Sequence, residues 1–398
     1  MNANVTPHLD VHLRQQGPFD VLDADPIRRV ELALEDLRQG KMIVVCDDED
    51  RENEGDLVMA GEKITPEAIN FMALYGRGLI CLSITSEQVA RLGLPMMAPN
   101  NQSAYGTAFT VSIEARSGVT TGISAADRSH TVKVAIDPKV TPRDIVVPGH
   151  MFPLRARDGG VLERVGQTEG SVDLCKLAGL NPSAVICEIV RDDGTMARMP
   201  DLMEFGRVHQ LRICTVADII KFRMRNERVV RREGDGTLDV PGIGAFHTRL
   251  YCGTTGGTHL AVWKGALSSE PLLARVQPAP PPWGFLDPKH SRVTRQALDM
   301  LRAMEREGRG VVVLMHLDQR GVDFLPKLFQ SDFGGPVESA PQTRAEVLRD
   351  LGTGCQILLD LGVSNLRLCT NSDRPIVGID AYGVHIVERV PLTTKKEA

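Results

Sequence analysis

The 398-residue sequence has no apolar run near the ~18 residues that a membrane-spanning helix requires. Its first twenty residues lack the basic-then-apolar pattern of a secretory signal. Neither sign of charge is in large excess, and a formal net charge of −5 gives no support to a nucleic-acid or membrane-surface role. None of the eight cysteines forms a CxxC pair, and most sit in apolar stretches such as Val44-Val45-Cys46. Buried, reduced thiols are therefore expected in place of disulfides or a zinc site. There is no glycine-rich dinucleotide fingerprint after the first strand, no internal repeat and no low-complexity segment. These absences lead to the expectation of a cytoplasmic protein whose partners are neither nucleic acid nor membrane.

What is present is 42% hydrophobic and 24% charged, the make-up of a globular chain with sizeable cores. The length is that of two domains. Residues 1–24 read as a polar arm. A helical period runs through Ile27, Val30, Leu34 and Leu37 and stops at Gly40. Met42–Cys46 reads as a strand entering an acidic loop, with 57–60 as its return, and Thr65-Pro66-Glu67 opens a helix. Further strands are expected at 79–84, 107–114, 131–136 and 184–190, and helices at 170–179, 201–209 and 215–224. This interleaving favours an α+β or mixed sheet over a dinucleotide-binding fold. A basic stretch from Lys221 to Arg232, followed by Gly234-Asp235-Gly236, marks a linker at 224–240 and reads as a solvated helix face. In the second domain, 241–398, four prolines in Pro278–Pro282 exclude helix or inner strand. Helices at 292–307 and 344–361 and strands at 310–315, 365–369 and 383–390 are expected there.

The densest chemistry lies in Asp47-Asp48-Glu49-Asp50-Arg51-Glu52-Asn53-Glu54-Gly55-Asp56. Such a loop repels itself unless cations bind, and carboxylate oxygens suit hard Mg²⁺; a solvated acidic turn is the plainer alternative. His150, set between Pro148-Gly149 and Met151, can shuttle protons or simply hold a structural hydrogen bond. Arg164, Gln167 and Thr168 precede a helix, where a guanidinium, a hydroxyl and free amides suit phosphate, although Thr168 can equally be an N-cap. Glu188 sits mid-strand among apolar neighbours, a place for a general acid or base or for a water-facing side chain. Cys81 by itself reads as a core thiol.

Together these segments resemble 3,4-dihydroxy-2-butanone 4-phosphate synthases over residues 25–223. The motifs are D-D-E-D-R-E-N-E-G-D at 47–56, S-A-Y-G-T-A-F-T at 103–110 and G-V-T-T-G-I-S-A-A-D-R at 118–128. P-G-H-M-F-P-L at 148–154, T-E-G-S-V-D-L at 168–174 and C-E-I-V-R-D-D-G-T-M-A-R at 187–198 continue the series. The resemblance implies conversion of D-ribulose 5-phosphate to L-3,4-dihydroxy-2-butanone 4-phosphate and formate by a metal-dependent lyase. It also implies two Mg²⁺ ions per site, with Mn²⁺ as an alternative, and a homodimer. Glu52 would bind the metal, and Arg51, Glu54, Asp56, Thr107, Arg164 and Thr168 would surround the substrate. His150 and Glu188 would move protons, with Asp47 and Cys81 lining the pocket. Gln167 stands where the family usually has a histidine ligand; its amide oxygen can still face the metal.

The second half resembles GTP cyclohydrolase II in outline, through G-G-T-H-L-A-V-W-K-G at 256–265, E-G-R-G-V-V-V-L at 307–314, G-T-G-C-Q-I-L-L-D-L-G-V at 352–363, L-R-L-C-T-N at 366–371 and Y-G-V-H-I-V-E-R-V-P at 382–391. That family needs three zinc-binding cysteines in a stretch opening R-V-H-S-E-C. Here Arg275-Val276-Gln277-Pro278 stands instead, and no cysteine occurs between 252 and 355. The family's nearby tyrosine and arginine are also replaced, by Leu314-Met315-His316-Leu317-Asp318. Neither zinc nor GTP ring opening is expected, so this domain reads as degenerate. A non-enzymatic regulator of the riboflavin pathway and a bifunctional enzyme are the competing readings.

Overall fold

A computed structural model describes residues 19–48, 51–254, 256–280, 292–317, 344–371 and 379–392. Most of the expected N-terminal arm, the prolines beyond 280 and Asp318 lie outside the described residues.

The first helix, α1 (Pro26–Arg38), begins where the Asp25 carboxylate accepts the Ile27 amide and Pro26 fills the first turn. Its buried Ile27, Val30, Ala33, Leu34 and Leu37 follow helical spacing. β1 (Ile43–Cys46) and β2 (Gly55–Ala60) form an antiparallel hairpin, and every residue in both strands is buried. Alternate residues enter opposite cores, Ile43 and Val45 on one face and Val44 and Cys46 on the other, because strand side chains alternate.

The rest of the first sheet comprises β3 (Cys81–Ile84), β4 (Ile113–Ala115), β5 (Ile145–Arg155), β6 (Ser183–Glu188) and β7 (Ile213–Thr215), in the order β4-β5-β3-β6-β2-β1-β7. One face is covered by α1, α5 (Gln167–Leu177) and α7 (Val216–Asn226). The other is covered by α2 (Pro66–Phe71), α4 (Ala125–Ile136) and α6 (Met199–His209), with α3 (Ser86–Arg91) at the side.

The second sheet, among the described residues, runs β14-β13-β11-β12-β10-β9-β8. Its strands are β8 (Val230–Val240), β9 (Gly244–Gly253), β10 (Thr258–Lys264), β11 (Leu272–Pro278), β12 (Gly310–Met315), β13 (Asn365–Cys369) and β14 (His385–Val390). Amphipathic α8 (Arg292–Glu307) buries Ala297, Met300, Leu301 and Met304 on one face. On the other face α9 (Arg344–Asp360) packs between the sheet and α7, and one apolar core runs unbroken from Val30 through Met224 to Cys355 and Val384.

Several expectations change. Residues 131–136 are the end of α4, not a strand. Ser124 caps that helix by accepting the Asp127 amide, and the Asp127 carboxylate gathers the amides of Thr120 and Gly122, so start signals override the β-branched residues. Of 107–114, only Ile113 and Glu114 join a strand, β4, while Phe109 and Thr110 make isolated bridges to Leu154 and Met96. Strand β5 was hidden by Pro148 and Pro153, yet it lies inside the sheet. The expected linker at 224–240 is the end of α7 and then β8, a strand whose side chains are mostly exposed. As an edge strand exposed on both faces along 231–239, it carries a polar, linker-like composition.

Candidate active site

The acidic loop joins β1 to β2; its Glu49 and Asp50 lie outside the described residues. Asp47 organises the loop from within. Its fully buried carboxylate accepts the Glu54 amide at 2.8 Å and the Glu52 amide at 3.1 Å, while its own amide donates to the Glu54 carbonyl at 3.2 Å. Asn53 adopts φ 54°, a left-handed turn that asparagine tolerates better than most side chains. Arg198 secures the turn by donating to the carbonyls of Glu52 and Asn53.

Arg51 joins this loop to α5. Its Nη1 donates to Asp47 Oδ2 at 2.7 Å, Glu52 Oε2 at 2.8 Å and Gln167 Oε1 at 2.9 Å. The Tyr105 hydroxyl donates to the Arg51 carbonyl at 3.0 Å, and its ring centre lies 5.1 Å from the guanidinium carbon. The Gln167 amide is buried; its Oε1 is directed at the loop and its Nε2 has no hydrogen-bond partner.

Beside the loop, Asp56 and Glu188 stand directly opposite each other on β2 and β6, so both carboxylates project from the same face of the sheet. Burial, and then the charges of Glu188, Asp47, Glu52 and Glu54, push the Asp56 carboxyl well above its ordinary range. Burial also raises Glu188, against the Leu79 amide that donates to its Oε2 at 2.8 Å. Glu54 is raised by burial and by Glu52. Cys81 is a buried thiol raised by burial, Glu188 and Asp56, so it stays protonated and is no nucleophile.

No three histidine, cysteine or acidic side chains among the described residues are grouped as a ready-made metal cage. A Mg²⁺ ion does not need one, since it keeps several waters and uses one or two protein oxygens plus substrate. The carboxylate of Glu52 and the amide oxygen of Gln167 meet at Arg51, and a cation there would relieve the mutual repulsion that raises Asp56 and Glu54. These residues fit the ion.

Across the loop, Arg164 donates through Nη1 to Glu169 at 2.6 Å and through Nη2 to the Thr107 hydroxyl at 3.2 Å and the Tyr105 carbonyl at 3.1 Å. Helix α5 starts at Gln167, earlier than expected, and its N-cap is Gly166, which has no side chain to offer. Thr168 is therefore a buried first-turn residue and not the cap. First-turn amides lack intrahelical partners, so this end favours an anion.

His150 lies on β5, where its Nδ1 is 3.2 Å from Glu114 Oε2 on β4. Extending the β3–β6 and β3–β5 registers places it in one row with Leu79 and Glu188. The structure thus gathers Asp47, Arg51, Glu52, Glu54, Asp56, Gln167 and Glu188 around the loop, holds Thr107 to Arg164 beside it, and sets His150 one strand away against Glu114. Residue-by-residue reading missed Glu114, Tyr105 and Arg198. The one local signal for Glu114 was its place between Ile113 and Ala115 in an apolar-polar alternation.

In the second half, the segment at the expected zinc position is bonded into the elements around it. Arg275 donates to Gln277 Oε1 at 2.6 Å, to the Cys369 carbonyl at 2.8 Å and to Gln296 Oε1 at 3.0 Å, and buried Gln277 donates to the Val293 carbonyl at 3.1 Å. Two cavities of ≈ 610 and ≈ 450 Å³ lie elsewhere, the first lined by Glu270 and Arg309 and the second by Phe19 and Met203. No described helix is long and apolar enough to cross a membrane.

The two sheets and the loop site define a two-domain chain of mixed helix and sheet with distinct halves. The family model of 3,4-dihydroxy-2-butanone 4-phosphate synthase matches residues 31–222, and that of GTP cyclohydrolase II matches residues 231–391. The chain is 48% identical over 373 residues to riboflavin biosynthesis protein RibBA of Aquifex aeolicus, covering 91% of this chain and 92% of that one. It is 44% identical over 361 residues to a 3,4-dihydroxy-2-butanone 4-phosphate synthase of Neisseria meningitidis serogroup A, covering 89% and 95%. RibBX, a two-domain 3,4-dihydroxy-2-butanone 4-phosphate synthase from A. baumannii whose crystal structure is known, matches with a TM-score of 0.74 at 37% identity, covering 90% of this chain and 100% of that one. The chain belongs to the 3,4-dihydroxy-2-butanone 4-phosphate synthase family of riboflavin biosynthesis, in the form that carries a GTP cyclohydrolase II-like second domain.

Proposed function

We propose that the first domain converts D-ribulose 5-phosphate to L-3,4-dihydroxy-2-butanone 4-phosphate and formate, and that the second domain does not open GTP. One observation carries the first part: a single guanidinium, Arg51, gathers Asp47, Glu52 and Gln167 beside the facing carboxyls of Asp56 and Glu188. Glu52 and Gln167 would hold Mg²⁺, which when bound polarises the substrate ketone and a neighbouring hydroxyl. Arg164, with Thr107, Thr168 and the open start of α5, suits the phosphate end. Glu188, raised by burial, is suited to take and return a proton. Glu114 accepts from His150 Nδ1–H and leaves Nε2 to exchange protons with substrate. Asp47 acts through the loop geometry it imposes, and Cys81 is a buried thiol within reach of the charges of Glu188 and Asp56.

Support for an inactive second domain comes from the chain itself. A zinc site needs thiolates or imidazoles, and the equivalent stretch has prolines after Arg275 and Gln277, which are bonded to each other and to Gln296 and Val293. A homodimer in the cytoplasm completes the proposal; exposed Leu74, Tyr75, Leu79 and Val147 on the first domain support self-association.

The deciding assay gives the full chain ribulose 5-phosphate or GTP, each with and without Mg²⁺ and Zn²⁺, and follows formate. Release from the pentulose phosphate only, and only with Mg²⁺ or Mn²⁺, is expected. No release from it would leave the regulator reading standing; release from GTP, or stoichiometric zinc in the pure protein, would establish the bifunctional one.

A further inference from the structure

One stripe of α9 crosses from the second domain into the first. Arg349, Gly352, Gln356 and Asp360 are spaced three or four apart, so they share one face of the helix. Gln356 donates to the carbonyls of Met224 and Glu227 at 2.6 Å each and accepts the Val229 amide at 2.8 Å, which closes the end of α7. Asp360 accepts from Arg228, Arg232 and the Tyr251 hydroxyl. A side chain at Gly352 would collide with Met224, so the two helices meet without a gap.

Arg349 stands at the start of this stripe. Its Nη1 donates to the Leu162 carbonyl at 2.8 Å and the Glu163 carbonyl at 3.2 Å. These carbonyls end the short 3₁₀ turn Gly160–Leu162, where chain-end acceptors need a partner from outside. The following residue is Arg164, whose guanidinium bridges Thr107, Tyr105 and Glu169 at the start of α5. The first domain holds the other end of the same loop, with Arg223 donating to the Gly159 carbonyl at 2.8 Å and to Asp173 at 2.7 Å. The loop bearing Arg164 is thus clamped at Gly159 from its own domain and at Leu162–Glu163 from the other.

We propose that Arg349, a residue of the cyclohydrolase-like domain, is a positioning residue for Arg164 and thereby sets the affinity of the synthase site for the phosphate end of its substrate. This rests on the proposed synthase reaction and gives the second domain a task that needs no catalysis of its own. Loosening two carbonyl anchors beside Arg164 lets its guanidinium sample more positions, which weakens phosphate binding while the proton-transferring groups on β5 and β6 stay in place.

The test uses the full chain. Arg349→Ala should raise KM for ribulose 5-phosphate and the calorimetric Kd for inorganic phosphate by about five- to tenfold, with kcat within about twofold. Arg349→Lys, which keeps the charge but carries its donors on a shorter and differently shaped head, should fall between Ala and parent. In an Arg164→Ala background, Arg349→Ala should add almost nothing, because one residue acts through the other. Unchanged KM and phosphate Kd, a fall in kcat alone, or full additivity with Arg164→Ala would overturn the proposal. If the alanine variant does not fold, the lysine variant decides: about a two- to threefold rise in both constants supports it, and parental constants refute it. Phosphate titration needs no turnover, so failure of the synthase reaction itself shows separately, as absence of formate with the parent chain.

Discussion

The two halves each build a seven-stranded sheet among the described residues and cover it with helices, yet they use their strand ends in opposite ways. In the first half, β1, β2 and β6 deliver carboxylates to one place, and burial together with their mutual charge pushes Asp56, Glu188 and Glu54 upward. That arrangement costs stability, and Arg198 beside Glu54 and the Leu79 amide on Glu188 partly offset it. In the second half, the end of β11 holds Arg275 and Gln277, whose polar atoms are bonded to Cys369, Gln296 and Val293. One sheet holds carboxyls that burial and like charge drive upward, and the other ends β11 in side chains bonded to their neighbours. Fold and chemistry are separable, and each half has to be read from its own side chains.

The sharpest way to break this contrast is Glu52→Gln. It keeps the shape, removes the charge that would hold the metal, and should slow formate release from ribulose 5-phosphate by about a thousandfold, or ~4 kcal/mol on the barrier. A rate equal to the parent's would remove the metal from the proposal. Glu188→Gln comes next, with an expected loss of about a hundredfold from the missing proton carrier.

The same Glu188 variant tests the cost of the site. A carboxyl whose folded pKa is raised stabilises the fold fully below its unfolded value of about 4.3, and that benefit is lost as pH rises through the folded value. Glu188→Gln should therefore melt higher than the parent at pH 8 and show little difference at pH 4. A melting difference that does not grow with pH would mean that the site is not strained.

Smaller again is the effect at the domain junction. Gln356→Ala leaves two carbonyls and one amide without their partner and should cost about 1–3 kcal/mol, seen as a lower Tm for a transition that still includes both halves. Two separated transitions in the parent would contradict a shared core. Gln167→His should shift least, raising the Mg²⁺ concentration for half-maximal rate by about threefold, because hard Mg²⁺ prefers an oxygen donor to an imidazole nitrogen. A fall in the Mg²⁺ requirement would show that the Gln167 oxygen is not the donor that holds the ion.

How far the residues could be read in advance varied with the range of the forces involved. Helices α1, α5 and α7 were legible, because spacing and capping act within a few residues of the chain. Residues 131–136 were misread, because β-branching outweighed start signals seven residues upstream, and β5 was hidden by its two prolines. The acidic loop, Arg164, His150 and Glu188 were visible as unusual groups, and the family motifs gave them roles. Their actual partners were not visible, since Arg51 meets Gln167 across 116 positions of sequence and His150 meets Glu114 across 36.

By itself the sequence determined which residue types are available: carboxylates between two apolar strands, and no thiolates where a zinc ion would need them. Those follow from composition and order alone. The tertiary structure decided which groups share a face, which carboxyls are driven upward by burial, and that a helix of the second domain holds the loop of the first. Register, burial and contact between distant segments arise only when the whole chain packs, since dielectric and distance, not position along the chain, set the energy of a charge.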